Sequence, residues 1–144
     1  MAKFYVFFVT IDADKINNDP HGWNSLDGKA YLNATMHANP TDALVRSLYK
    51  PAAVVNAPGH QLDAEQVWTT LQNINASWKE REGVICLTDQ PRSSMTGDII
   101  YDVDADQWAI VASIGFDPVW QERDIDLLNA VLDTAKRAEH EITG

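Results

Sequence analysis

Apolar positions are most concentrated near the start of the chain, where Phe4, Tyr5, Val6, Phe7, Phe8 and Val9 follow one another without a charged residue. An unbroken run of aromatic and β-branched side chains predicts a strand over Lys3–Ile11, buried on both faces as a central strand is. Further on, Asp98–Val103 and Gln107–Ile114 predict the two strands of a hairpin turning at Asp104-Ala105-Asp106. Shorter runs predict strands at Ala52–Asn56 and Val84–Leu87. Turn residues cluster at Asp89–Pro91, and Gly115-Phe116-Asp117-Pro118 breaks the second hairpin strand.

Helical spacing appears in three places. Thr41 reads as the N-cap of a helix running to about Tyr49, with Leu44, Val45 and Leu48 as its apolar stripe and Pro51 as its stop. Asp63 with Gln66 forms a capping-box pattern before Val67, Leu71 and Ile74, which predicts a second helix ending near Asn75–Ser77. The last helix spans about Asp124–Glu141, with Ile125, Leu128, Val131, Leu132 and Ala135 facing inward. Between Asp12 and Asn39 the periodicity fades. Asn17-Asn18-Asp19-Pro20 and His21-Gly22 are turn chemistry, and Trp23, Leu26, Tyr31 and Leu32 are scattered anchors. That stretch is expected to be a long packed loop with a short helix. Helices and strands interleave, but the late hairpin argues against a purely parallel sheet. The expected fold class is α+β: a single compact domain over residues 1–144, with a mixed or antiparallel sheet and about three helices.

Composition narrows the setting. A chain of 144 residues can bury a core without covalent staples. Its one cysteine, Cys86, cannot form an internal disulfide or a CxxC site and fits a reducing, cytoplasmic compartment. No apolar run reaches the length of a membrane span, and Phe4–Val9 is too short for a signal-peptide core. The net charge of −10 is unevenly placed. Tyr101–Gly144 holds ten acids (Asp102, Asp104, Asp106, Asp117, Glu122, Asp124, Asp126, Asp133, Glu139, Glu141) against Arg123, Lys136 and Arg137. Such a face repels phosphate, so no direct nucleic-acid binding is expected there. It is either a solvated face or a surface that meets a basic partner.

Candidate chemistry is sparse. His21, His37, His60 and His140 show no ligand spacing, so no metal or other cofactor is expected. Cys86 sits in the apolar run Val84-Ile85-Cys86-Leu87, where a buried thiol is inert. Neither a nucleophile elbow nor a phosphate loop is present, so no catalytic residue is assigned; the sequence leans to a non-enzyme, with an enzyme kept as the third alternative. Of the five tryptophans, Trp78 and Trp120 lie at element ends beside polar residues and are the contact candidates.

The distinctive segment is Arg92-Ser93-Ser94-Met95-Thr96-Gly97-Asp98. Arg92, Ser93 and Ser94 have the chemistry to cradle an anion, as in a nucleotide or another small ligand. A structural role explains the same residues: Gly97 permits a positive φ or close approach, Asp98 accepts from backbone amides, and Arg92 pairs with an acid.

The stretch from about Tyr49 to Val119 resembles uncharacterised bacteriophage and plasmid proteins with an R-S-x-S-V-G-D-V-I pattern followed by a hairpin and G-F, similar in outline to the YodL-like domain of mobile elements. Arg92, Ser93, Gly97, Asp98, Ile99 and Ile100, then Gly115 and Phe116, carry the match, while Met95 and Thr96 depart from it. The resemblance implies a mobile-element origin and an accessory role. Combined with the charge, the expectation is a protein that binds a host protein, itself a nucleic-acid binder in one version, in counter-defence. The expected contact residues are Asp117, Trp120, Glu122, Asp124, Asp126 and Asp133.

Overall fold

Strand β1, Ala2–Val9, divides its side chains between two cores, and the rest of the fold is arranged around it. Tyr5, Phe7 and Val9 point to one face and Phe4, Val6 and Phe8 to the other, as the two-residue period of a strand requires. The computed structural model describes residues 2–57, 67, 70–72, 78, 82–89, 91–112, 115–118 and 121–143. Within them one six-stranded sheet is formed, in the order β3-β2-β1-β4-β5-β6. The other strands are β2 Tyr49–Ala57, β3 Val84–Cys86, β4 Ile99–Asp102, β5 Gln107–Val111 and β6 Phe116–Pro118. Every neighbouring pair is antiparallel. The α+β class therefore holds, with the sheet antiparallel and β1 inside it.

Four α-helices lie among the described residues: α1 Ala13–Asn18, α2 Leu26–His37, α3 Thr41–Val45 and α4 Gln121–Thr143. Ala30 and Ala34 of α2, Leu44 of α3 and Leu128, Leu132 and Ala135 of α4 cover the Tyr5–Phe7–Val9 face, which Ile99, Trp108 and Ile110 of the neighbouring strands extend. Val67, Leu71 and Trp78 cover the opposite face, against Phe4, Val6, Phe8 and Ile100. The helix predicted from Asp63 lies largely outside the described residues. Its Val67 and Leu71 are fully buried, and the Leu71 N–H donates to the Val67 carbonyl at 3.1 Å.

Several expectations are corrected. The stretch 12–39 is mostly helical rather than loop. Its main helix, α2, buries Gly28, Ala30 and Ala34 while Leu26 and Met36 face out, so it packs through small residues and shows no large apolar stripe. The helix at Thr41 is five residues long and Thr41 lies inside it, with Pro40 at the N-cap. Ser47, at φ +58°, closes it: the N–H groups of Ser47 and Leu48 donate to the carbonyls of Leu44 and Ala43. That Schellman closure releases Tyr49 and Pro51 into β2. Pro51 pairs with Phe7 where the β1–β2 register shifts, a bulge where the missing N–H is tolerated. Beyond the hairpin, Phe116–Pro118 continues the sheet as a short edge strand rather than ending it. Trp78 is fully buried, its ring edge-on to Phe8, and is no surface contact.

Candidate functional site

The Arg92–Asp98 segment leaves the β3 side of the sheet and enters β4, crossing the end of β1. Arg92 lies over the Phe8 ring at 4.1 Å, a cation–π contact. Its Nη1 donates to Asp98 Oδ2 at 2.8 Å and to the Ser93 carbonyl at 2.9 Å. Its Nη2 donates to Asp98 Oδ1 at 2.7 Å and to the Val9 carbonyl at 3.0 Å. All four terminal N–H groups of the guanidinium are thereby occupied.

Asp98 has no solvent exposure. Besides Arg92 it accepts from the Val9 N–H at 3.0 Å, the Met95 N–H at 2.8 Å and Ser94 Oγ at 3.3 Å. Burial pushes its pKa up, opposed by Arg92 and by the backbone N–H groups of Met95 and Val9. The node is tied on every side. The Trp78 indole N–H donates to the Arg92 carbonyl at 2.5 Å, and Gln72 Nε2 donates to the Ser94 carbonyl at 3.1 Å. The buried Tyr49 hydroxyl donates to the Gly97 carbonyl at 2.6 Å, and burial together with the Asp98 charge holds that phenol well above its usual range. Gly97 has φ +99°, and a Cβ there would lie 2.9 Å from the Ala34 carbonyl carbon and oxygen.

The three residues expected to hold a ligand are thus brought together, but around Asp98. Ser94 is buried with its hydroxyl on that carboxylate, and Ser93 is half-buried with its carbonyl on Arg92. An incoming phosphate has to displace Asp98 to reach Arg92's terminal donors. What the loop does leave open is a cleft of about 560 Å³ at the end of β1, bordered by Thr10, Tyr31, Lys50, Thr88, Asp89 and Arg92. Nothing in the local sequence pattern signals it, because its walls come from segments far apart in the chain.

The acidic candidates separate. Asp117 on β6 and Asp126 and Asp133 on α4 are exposed. Asp124 is not: it is 2% exposed and accepts from Thr41 Oγ1 at 3.1 Å, tying α4 to α3. Its place follows from helical phase, since 124, 128, 132 and 135 share the inward stripe, whereas Ile125 is 39% exposed rather than inward. Trp120 and the side chain of Glu122 lie outside the described residues. Glu139 accepts from Tyr5 Oη at 2.6 Å and pairs with Lys3 at 3.1 Å, which anchors the end of α4 to β1. Cys86 is half-buried, its thiol on the Thr88 carbonyl at 3.3 Å. Among the described residues, no cluster of His, Cys, Asp and Glu suits a metal ion, and no helix is long and apolar enough to cross a membrane. Comparison of the chain with protein-family models, with curated proteins and with solved structures finds no match.

Proposed function

We propose that the protein is a non-catalytic binding module, an accessory protein of a phage or mobile element that engages a basic surface on a host protein through its acidic C-terminal surface. The observation that carries this reading is the exposed charge between Tyr101 and the end of α4. Among the described residues there, Asp104, Asp106, Asp117, Asp126, Asp133 and Glu141 are exposed, against Lys136 and Arg137. Asp126 and Asp133 lie roughly two turns apart on one side of α4. Asp124 no longer belongs to the contact set. The mobile-element setting rests on the Arg92–Asp98 pattern and its following hairpin, and counter-defence is its specific version.

The test is capture from host lysate by the wild-type protein and by an Asp117→Asn, Asp126→Asn, Asp133→Asn variant. A control variant neutralises Asp14, Glu82 and Asp89 instead. The expected result is a salt-sensitive partner lost only with the first variant, since complementary charge governs encounter and is screened by salt. Retention of every partner by the first variant refutes the proposal.

A further inference from the structure

A second feature, independent of the acidic face, lies at Lys50 and Pro51, which line two cavities. One is the cleft beside Arg92. The other, of about 420 Å³, opens between α3, the start of β2 and α4, and is walled by Leu44, Val45, Leu127, Ala130 and Val131. Val45 remains 61% exposed on that wall, so the apolar surface is left open to solvent. Lys50 is exposed, and among the described residues no carboxylate pairs with it. Arg92, the other cation of the cleft, has its terminal N–H groups occupied by Asp98, Ser93 and Val9.

We infer that the two cavities, through the Lys50 they share, form one binding site for a small amphiphilic carboxylate, its alkyl or aryl body in the apolar cavity and its carboxylate on Lys50. Both volumes fall in the range of small-molecule sites, roughly 300–1,000 Å³. One uncommitted ammonium matches one negative charge. A phosphate, with up to two charges and three acceptor oxygens, calls for more donors than Lys50 supplies. The exposed Asp89 on the cleft wall and the net charge of −10 both oppose a polyanion.

Octanoate is a suitable probe, with octanol, octylamine and inorganic phosphate as comparisons, followed by backbone amide chemical shifts. Octanoate is expected to give saturable shifts at residues 44–51 and 127–134, and octylamine none. Lys50→Met should weaken octanoate about tenfold and leave octanol unchanged, the scale of one hydrogen bond to a charged group. Ala130→Trp, at an exposed helical position on the cavity wall, should block both while circular dichroism shows the fold intact. Three results overturn the proposal: no saturable shift with octanoate, undiminished octanoate affinity in Lys50→Met, or phosphate binding as tight as octanoate. An apolar peptide with a free C-terminal carboxylate that binds more tightly than octanoate also overturns it, assigning the site to peptides.

Discussion

Replacing Arg92 with Met tests whether the Arg92–Asp98 segment is a structural clamp. The substitution leaves a carboxylate with no solvent exposure facing two backbone N–H groups and one hydroxyl, without its cation. Breaking a buried ion pair from one side costs about 3–5 kcal/mol. Loss of the contact with Phe8 adds about 0.5–1 kcal/mol. Arg92 is itself about one-third exposed, so the lower end applies, and the expected loss is about 4 kcal/mol. A chain of this length has about 7–20 kcal/mol of total stability, so the variant folds but melts lower by roughly 10 °C. Urea denaturation of wild type, Arg92→Met, Asp98→Asn and the double variant measures the coupling. A stranded charge predicts that the double variant recovers about 2 kcal/mol or more relative to additivity. Acid adds a second readout. Without Arg92, burial acts on Asp98 with less opposition and raises its folded pKa further. A carboxyl raised on folding is favoured in its protonated form, so its penalty grows as pH rises through that interval and shrinks on acidification. Arg92→Met should therefore regain stability relative to wild type as pH falls toward 4. A loss below about 1 kcal/mol, or additivity within about 0.5 kcal/mol, refutes the clamp.

Three further outcomes follow from the geometry. Gly97→Ala should cost about 3 kcal/mol or more in thermal melts, from positive φ and a backbone collision with Ala34, whereas Gly115→Ala, at φ +72° with open space around it, should cost only about 1 kcal/mol. Asp124→Ala should lose about 1–3 kcal/mol because the hydrogen bond from Thr41 to a buried carboxylate, which ties α4 to α3, is removed, while Asp126→Ala should stay within about 0.5 kcal/mol. Tyr101 donates to Asp106 at 2.5 Å, and that bond together with burial pushes its phenol up to about 12. Its folded pKa exceeds the ordinary 10, so the stability it contributes is complete below pH 10 and is lost as pH rises through about 12. Ultraviolet titration of tyrosinate in wild type and Asp106→Asn, with Tyr101→Phe to assign the signal, should show that phenol moving down in the variant.

What the sequence discloses depends on how each element is buried. β1 is legible because a strand covered on both faces has no polar alternation to misread, and the hairpin because its turn is all acid and alanine. α2 is illegible because its contact face is Gly28, Ala30 and Ala34, residues that carry no amphipathic signal. α3 is overextended because Leu48 continues the apolar spacing while its backbone has already turned at Ser47. At the Arg92–Asp98 segment, residue chemistry named both the clamp and the anion cradle; the bidentate Asp98 pair decides for the clamp, and the backbone carbonyl of Val9, more than eighty positions away, completes it in a way no local pattern shows. Asp124 is the opposite case. Its phase relative to Leu128 and Leu132 was available in the sequence, but its charge made it look like surface.

The central position of β1 also bears on how the chain is made. Its partner β4 and its ligand Asp98 lie almost a hundred residues downstream, as the Phe4–Asp102 pairing shows. At about 5–20 residues per second, the ribosome leaves that strand incompletely paired for roughly 5–20 seconds. Throughout that interval Phe4–Val9 offers an aromatic strand with an open edge, the kind of segment that pairs with other chains. Non-local pairing of this sort slows folding. Expression yield should consequently respond to temperature and to chaperone supply more than the stability of the finished protein would indicate.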